Sequence, residues 1–158
     1  MGNWSSESSF VRIAAHDRPG HPHRQRAIRS TLTDPIAAGP CPFCARGDDL
    51  LANEHAMVRR DINPVASGHL LIITRRHVAD FFEATATERA SLMALLLEAK
   101  AWLAREYAPD GFNVGVNIGL ASGQTIPHVH VHLIPRYLGD TPNPRGGVRG
   151  VIPDKQTY

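Results

Sequence analysis

The chain reads as an α+β domain in which short antiparallel strands accompany one long amphipathic helix. Three observations lead there. Two strand-like stretches, His55 to Arg60 and His69 to Thr74, are joined by a loop too short for a parallel crossover. A single apolar stripe at helical spacing follows them, and two further alternating stretches come after it. With 158 residues, 42% of them hydrophobic, the chain can bury one core. We divide it into an extended or disordered arm over 1–39, one domain over 40–138, and a tail over 139–158.

The arm is rich in Ser, Arg, Pro and Gly and shows little apolar periodicity. Its histidines, His16, His21 and His23, read as part of a solvated polar segment, and Met1-Gly2-Asn3-Trp4-Ser5-Ser6 as an accidental fit to a lipidation pattern. In the domain, His55 to Arg60 is a strand, and Asp61-Ile62-Asn63-Pro64 is a turn because Pro64 pushes Asn63 out of helical geometry. His69 to Thr74 is a mostly apolar strand. Thr87 is the expected N-cap of the helix, with Glu88 in the first turn where the dipole favours a carboxylate. Leu92, Leu96, Ala99 and Leu103 form the stripe, widened by Met93, Leu95 and Trp102, until Pro109-Asp110-Gly111 ends it. Phe112 to Ile118 alternates as a strand, a loop carries Gly119, Ser122 and Gly123, and Ile126 to Ile134 is the last strand. The tail, with Pro142, Pro144, Gly146, Gly147, Gly150 and Pro153, is too irregular for an element.

Composition narrows the setting. The net charge of +2 is too small for a nucleic-acid coat, and apart from Arg24, Arg26 and Arg29 the basic residues are scattered, which suits a small anionic ligand. No apolar run has the length of a membrane helix and the first thirty residues lack the apolar centre of a secretory signal, so a cytoplasmic protein is expected. Cys41 and Cys44 are the only cysteines. Their spacing excludes a disulfide scaffold and leaves a metal site or a redox pair.

The chemistry concentrates in Ile126-Pro127-His128-Val129-His130-Val131-His132-Leu133-Ile134. Side chains alternate along a strand, so the three imidazoles stand about 6.6 Å apart on one face while Val129, Val131 and Leu133 point to the core. A neutral imidazole has a lone pair at physiological pH and can attack phosphorus without a separate base. Crowding three of them keeps at least one unprotonated. Just upstream, Gly123-Gln124-Thr125 offers an amide, a hydroxyl and backbone N–H groups for a phosphoryl oxygen. A structural metal site or a wet polar face are the alternatives.

Together with Gly123-Gln124-Thr125, this stretch resembles the signature of the histidine triad nucleotide hydrolases and transferases. Cys41-Pro42-Phe43-Cys44, Asp61-Ile62-Asn63-Pro64, Gly68-His69-Leu70-Leu71-Ile72-Ile73 and Asn117 follow in that family's order, so the resemblance spans about Pro40 to Arg136. It implies an antiparallel sheet of about five strands with a long helix packed on one face. It also implies a homodimer, for which the exposed apolar side of Ala90 to Tyr107 is a suitable interface. By the same resemblance His130 is the nucleophile at the α-phosphorus of a purine nucleotide, forming a nucleotidyl-histidine that water cleaves. His132 contacts phosphate and assists proton transfer, Gln124 and Thr125 orient phosphate oxygens beside Asn117, Asp61 pairs with the ribose hydroxyls, and Phe43 and Ile62 line a slot for the base. His69 reads as a hydrogen-bonded structural histidine.

In the zinc-binding branch of that family, Cys41, Cys44, His77 and His128 match the metal ligands. Two thiolates and two imidazoles make a closed tetrahedral site, so the zinc is structural. Free cysteines or a redox couple remain the alternative; a glutaredoxin-like pair needs an apolar strand just before it, which Ser30 to Pro40 does not supply. The expected function is hydrolysis of nucleoside phosphoramidates or dinucleoside polyphosphates at the α-phosphate. Transfer of the nucleotide to phosphate, and a non-catalytic nucleotide-binding module, are the competing readings. Arg145 and Arg149 in the tail are candidates to fold back onto a polyphosphate.

Overall fold

Five strands pair into one sheet: β1 (Leu51–Ala52), β2 (Ala56–Arg60), β3 (Leu70–Thr74), β4 (Gly111–Gly115) and β5 (His130–Arg136). Their order is β1-β2-β3-β5-β4 and every pairing is antiparallel. This computed structural model describes residues 40–158, so the expected arm over 1–39, with its histidines and arginines, lies outside the described residues. Among the described residues one α-helix, α1 (Ala86–Glu106), lies between β3 and the edge strand β4 and packs on one face of the sheet. The chain then returns as β5 between β3 and β4, which puts the histidine strand beside two neighbours.

The helix starts two residues before the expected cap. Thr85 is the N-cap: its hydroxyl accepts the Glu88 N–H at 3.1 Å, and the Glu88 carboxylate accepts the Thr85 N–H at 2.7 Å. This reciprocal pair satisfies two N–H groups that Thr87, already inside the first turn, has no means to satisfy. Buried Glu88 also receives Arg76 through Nε at 2.7 Å and Nη2 at 2.8 Å, which ties the helix start to the segment leaving β3. Leu92, Leu95, Ala99 and Leu103 are buried against Ala56, Val58, Leu70, Ile72, Val131 and Leu133. Truncating one of those leucines to alanine costs about 2–5 kcal/mol. Met93 and Leu97 stay exposed on the outer side of α1.

The opposite face carries the chemistry. Ile73 pairs with His130 and Leu71 with His132 across β3 and β5, so both rings stand on the side where Met57, Leu71 and Ile73 cluster with Phe43. The regular histidine strand is later than expected, beginning at His130. His128 lies before it, where its N–H closes a tight turn onto the Ile126 carbonyl, and Val129 instead bonds the carbonyl of Val78. The strand expected over Phe112 to Ile118 ends at Gly115, and β1, too short to alternate visibly, had no signal in the sequence. The tail corrects another expectation. It forms two 3-10 turns, Gly147–Val151 and Pro153–Lys155, and the first lies against β4. Among the described residues no helix is long and apolar enough to cross a membrane.

Candidate active site and metal centre

The site is built outward from His128. Its ring is fully buried, and Nε2 lies 2.7 Å from the carbonyl oxygen of Thr74, the last residue of β3. A carbonyl only accepts, so Nε2 carries the proton and Nδ1 presents its lone pair. That lone pair faces two sulfurs, Cys41 Sγ at 3.4 Å and Cys44 Sγ at 3.6 Å. Cys44 Sγ lies in turn 3.2 Å from His77 Nδ1. All four donor atoms fall within 4.8 Å of one another. In a tetrahedral ion with Zn–S bonds of about 2.3 Å and Zn–N bonds of about 2.0 Å, neighbouring donors sit roughly 3.5 Å apart, so the donor set and its spacing fit zinc. Burial lowers the His128 pKa, which keeps the ring neutral as a metal ligand requires.

The same carbonyl logic fixes the next histidine. His130 Nδ1 donates to the His128 carbonyl at 2.7 Å, which leaves the lone pair on Nε2. His130 is almost wholly buried, with Phe43 against it edge-on at 5.1 Å between ring centroids and His132 at 5.1 Å on another side. Three contacts thus orient one ring. Phe43 also lies edge-on to His128 at 5.8 Å, so it packs the two histidines rather than forming a free wall. Ile62, expected beside it, is 91% exposed and does not join that cluster.

His132 is linked to residues from another part of the chain. Its Nδ1 is 3.0 Å from Nε2 of His69, whose Nδ1 is 3.3 Å from Asp61 Oδ2. With the proton of His69 facing Asp61, His132 donates from Nδ1 and keeps a bare Nε2. With His69 Nδ1 instead accepting the Val65 N–H, 3.4 Å away, the order reverses and His132 carries its proton on Nε2. The three residues form a relay with two proton arrangements. Burial, then the neighbouring His130 and His69 rings, push His132 down to about 4, and burial lowers His69 as well. His132 is therefore neutral at rest. Asp61 is largely covered: its Oδ1 accepts the Asn63 N–H at 2.8 Å and its other oxygen faces His69.

The loop before the triad holds itself closed. Gln124 accepts the Gly119 N–H at 2.7 Å through its side-chain oxygen and donates to the Ala79 carbonyl at 2.8 Å through Nε2. Its amide is spent on loop closure, whereas Thr125 is exposed and Asn117 half-buried. Asn117 and His132 line one cavity of about 340 Å³. Arg145 and Arg149, expected to turn toward a phosphate chain, both stack on Tyr158, at 5.2 Å and 5.3 Å, and Arg149 Nη2 donates to the Lys155 carbonyl at 2.9 Å. The structure thus gathers Cys41, Cys44, His77 and His128 into one cluster and His130, His132, His69 and Asp61 into another. Sequence reasoning missed the His69 to His132 contact. The cross-strand register was its only signal, since His69 directly precedes β3 and His132 pairs with Leu71.

A family model described as HIT domain matches residues 46–139. The chain belongs to that family, the histidine triad proteins. It is 38% identical over 87 residues to an uncharacterized HIT-like protein of Synechococcus elongatus, covering 55% of this chain and 76% of that one. It is 37% identical over 81 residues to the AP-4-A phosphorylase of Mycobacterium tuberculosis, covering 51% of this chain and 42% of the relative. The asymmetrical bis(5'-nucleosyl)-tetraphosphatase of Schizosaccharomyces pombe is 32% identical over 80 residues, covering 51% and 44%. The chain thus spans less than half the length of these two enzymes. Among solved structures, a HIT family protein from Bacillus anthracis superposes with a TM-score of 0.60 at 32% identity, covering 63% of this chain and 75% of that one. A zinc-bound histidine triad protein from Mycobacterium smegmatis gives 0.60 at 28%, covering 65% and 79%.

Proposed function

We propose that this protein cleaves nucleotides at the α-phosphate through a nucleotidyl intermediate on His130. The observation that carries the reading is the His130 Nδ1 to His128 carbonyl bond, which occupies Nδ1 and leaves Nε2 as the ring nitrogen available for attack, beside the neutral imidazole of His132. In the first step Nε2 forms a bond to the α-phosphorus and the bond from phosphorus to the leaving group breaks, its electron pair going to the leaving group. Once the His132 and His69 pair has taken up a proton with the anionic nucleotide bound, Asp61 offsetting the positive charge, His132 passes that proton to the leaving group. In the second step a water oxygen displaces Nε2 from phosphorus, and the proton lost by water returns to the relay. The products are a nucleoside monophosphate and the protonated leaving group.

Nucleoside phosphoramidates and dinucleoside polyphosphates are the substrate classes, the second supported by the names of the mycobacterial and fission-yeast relatives. A variant reading, favoured by the phosphorylase name, has inorganic phosphate replace water and yields a nucleoside diphosphate. Thr125 and Asn117 would contact phosphate oxygens, and Gln124 would do so once its bonds to Gly119 and Ala79 open. Asp61 would reach ribose hydroxyls through the part of its carboxylate left exposed, and Ile62 would meet the base.

Cys41, Cys44, His77 and His128 would hold zinc, which when bound supplies a rigid anchor with no open coordination position. The chain's own His128 carbonyl then stays fixed against His130. We place the reaction in the cytoplasm, where the thiols of Cys41 and Cys44 stay reduced. A homodimer would cover Met93 and Leu97 on α1, which are otherwise exposed. Products identified after incubation with a purine nucleoside phosphoramidate and with diadenosine tetraphosphate test the reading. Release of monophosphate or, with added phosphate, of diphosphate supports it; intact substrates with the zinc-loaded protein overturn it.

A further inference from the structure

Phe43 has a second side. Its ring packs edge-on to His130 at 5.1 Å between centroids, and it also lines a separate cavity of about 160 Å³ with Met57, Arg46, Asp49, Arg59 and Arg75. The strand register places this cavity on the face that carries the chemistry. Met57 pairs with Ile73, which pairs with His130, and Arg59 pairs with Leu71, which pairs with His132. Two strand spacings, about 10 Å, therefore separate β2 from the triad strand. A nucleoside spans such a gap between its 5'-phosphorus and the outer edge of its base. Arg59 is fixed at the rim. Its Nε donates to Asp49 Oδ1 at 2.8 Å and its Nη2 to the Ala45 carbonyl at 2.9 Å, and its side chain is only 15% exposed. Gly47 lies so close to the guanidinium that a Cβ there would stand 2.6 Å from Cζ.

From this we infer that Arg59, with Arg46 and Arg75 beside it, reads the base of the nucleotide and selects a 6-oxopurine, guanine or hypoxanthine, over adenine. The inference rests on the proposed attack by His130 and adds the class of base. At about 160 Å³ the cavity is smaller than those that enclose a whole small-molecule ligand, which suits one end of a molecule anchored elsewhere. Phe43 and Met57 offer apolar surface to the ring. The rim is rich in donors. It has three guanidinium groups, which only donate, against the single carboxylate of Asp49, one oxygen of which Arg59 already engages. Guanine and hypoxanthine present two acceptors side by side to such a rim, O6 and N7. Adenine presents N7 beside its N6 amino group, whose hydrogens face donors and leave a guanidinium without its second partner. Adenine still enters, bound less tightly.

Titrating the full-length protein with nucleoside 5'-monophosphates, which carry no leaving group, reads the cavity without turnover. GMP and IMP should bind about tenfold tighter than AMP, and 7-deaza-GMP, which lacks the N7 acceptor, should bind about tenfold more weakly than GMP. Arg59→Gln replaces the guanidinium with a carboxamide, which donates and accepts as the N7 and N6 of adenine require. In that variant the preference for GMP over AMP should vanish while ribose 5-phosphate binds as before. Equal affinities of the wild-type protein for GMP, IMP and AMP, or undiminished binding of 7-deaza-GMP, overturn the inference, and neither result depends on a variant that folds. A GMP preference that survives in Arg59→Gln also overturns it. So does a loss of ribose 5-phosphate as large as the loss of GMP, because the cavity then holds phosphate. The expected order of affinities in a protein that cleaves no nucleotide sinks the catalytic reading alone. Equal kcat/KM for guanosine and adenosine phosphoramidates sinks this inference and leaves the catalytic reading standing.

Discussion

His130 Nδ1 lies 2.7 Å from the carbonyl oxygen of His128, and the His128 ring lies 2.7 Å from the carbonyl of Thr74. Two backbone carbonyls in series therefore set two tautomers. The Thr74 carbonyl turns the His128 lone pair toward Cys41 and Cys44, and the His128 carbonyl occupies His130 Nδ1 and leaves Nε2 available. The candidate metal site and the proposed nucleophile share one short stretch of backbone, so the anchoring of one would condition the aim of the other.

Loss of the metal should therefore be felt in stability before it is felt in chemistry. With zinc held by Cys41, Cys44, His77 and His128, Cys44→Ser or a strong chelator is expected to cost more than about 2 kcal/mol, a fall in Tm of roughly 5–10 °C. Metal analysis should find about one zinc per chain in the untreated protein. Protein that carries no zinc as purified, and melts at the same temperature with and without chelator, would contradict the assignment.

Glu88 joins three partners: the Thr85 N–H, and Nε and Nη2 of Arg76. Its Arg76 partner holds its carboxyl at about 2, well below the ordinary carboxylate range. Glu88→Ala removes the capping box and is expected to cost about 1–2 kcal/mol, read from the urea midpoint. Because the folded carboxyl is depressed, its contribution is complete above the ordinary value near 4.5 and is lost as pH falls toward about 2. A cost that stays constant across that window would show that the charge plays no part.

The histidines act at higher pH. His132 is depressed from 6.5 to about 4, so below pH 6.5 the unfolded chain binds a proton that the folded chain does not. Stability is complete above about pH 6.5 and must fall as pH drops toward 4, levelling below that value. His132→Asn removes this dependence. Urea midpoints measured between pH 7 and pH 4.5 should show a shallower slope for the variant than for the wild type, and an equal or steeper slope would refute the neutral state of His132.

Much of this site was legible because it is local in sequence. His128, His130 and His132 alternate, and Cys41 and Cys44 bracket a single turn in which the Cys44 N–H bonds the Cys41 carbonyl. Helix α1 was visible from its stripe, but its cap was misplaced because Thr85 and Thr87 are both suitable residues. Only the reach of the Glu88 side chain chooses between them. What escaped was pairwise and long-range. The His69 to His132 contact joins residues 63 apart in sequence, and Gln124 finds the carbonyl of Ala79, 45 residues away. The tail looked shapeless because its order comes from Arg149 bonding carbonyls and from Gly146 accepting a conformation other residues resist, neither of which leaves a periodic trace.

The most direct measurement is the site of covalent attachment during turnover. Quenching a reaction with an adenosine phosphoramidate under alkaline conditions, where a phosphorus–nitrogen bond to histidine persists, and mapping the modified peptide should find adenylate on Nε2 of His130 and none in His130→Ala. Adenylate on a different residue, or undiminished turnover by the His130→Ala protein, would contradict the account.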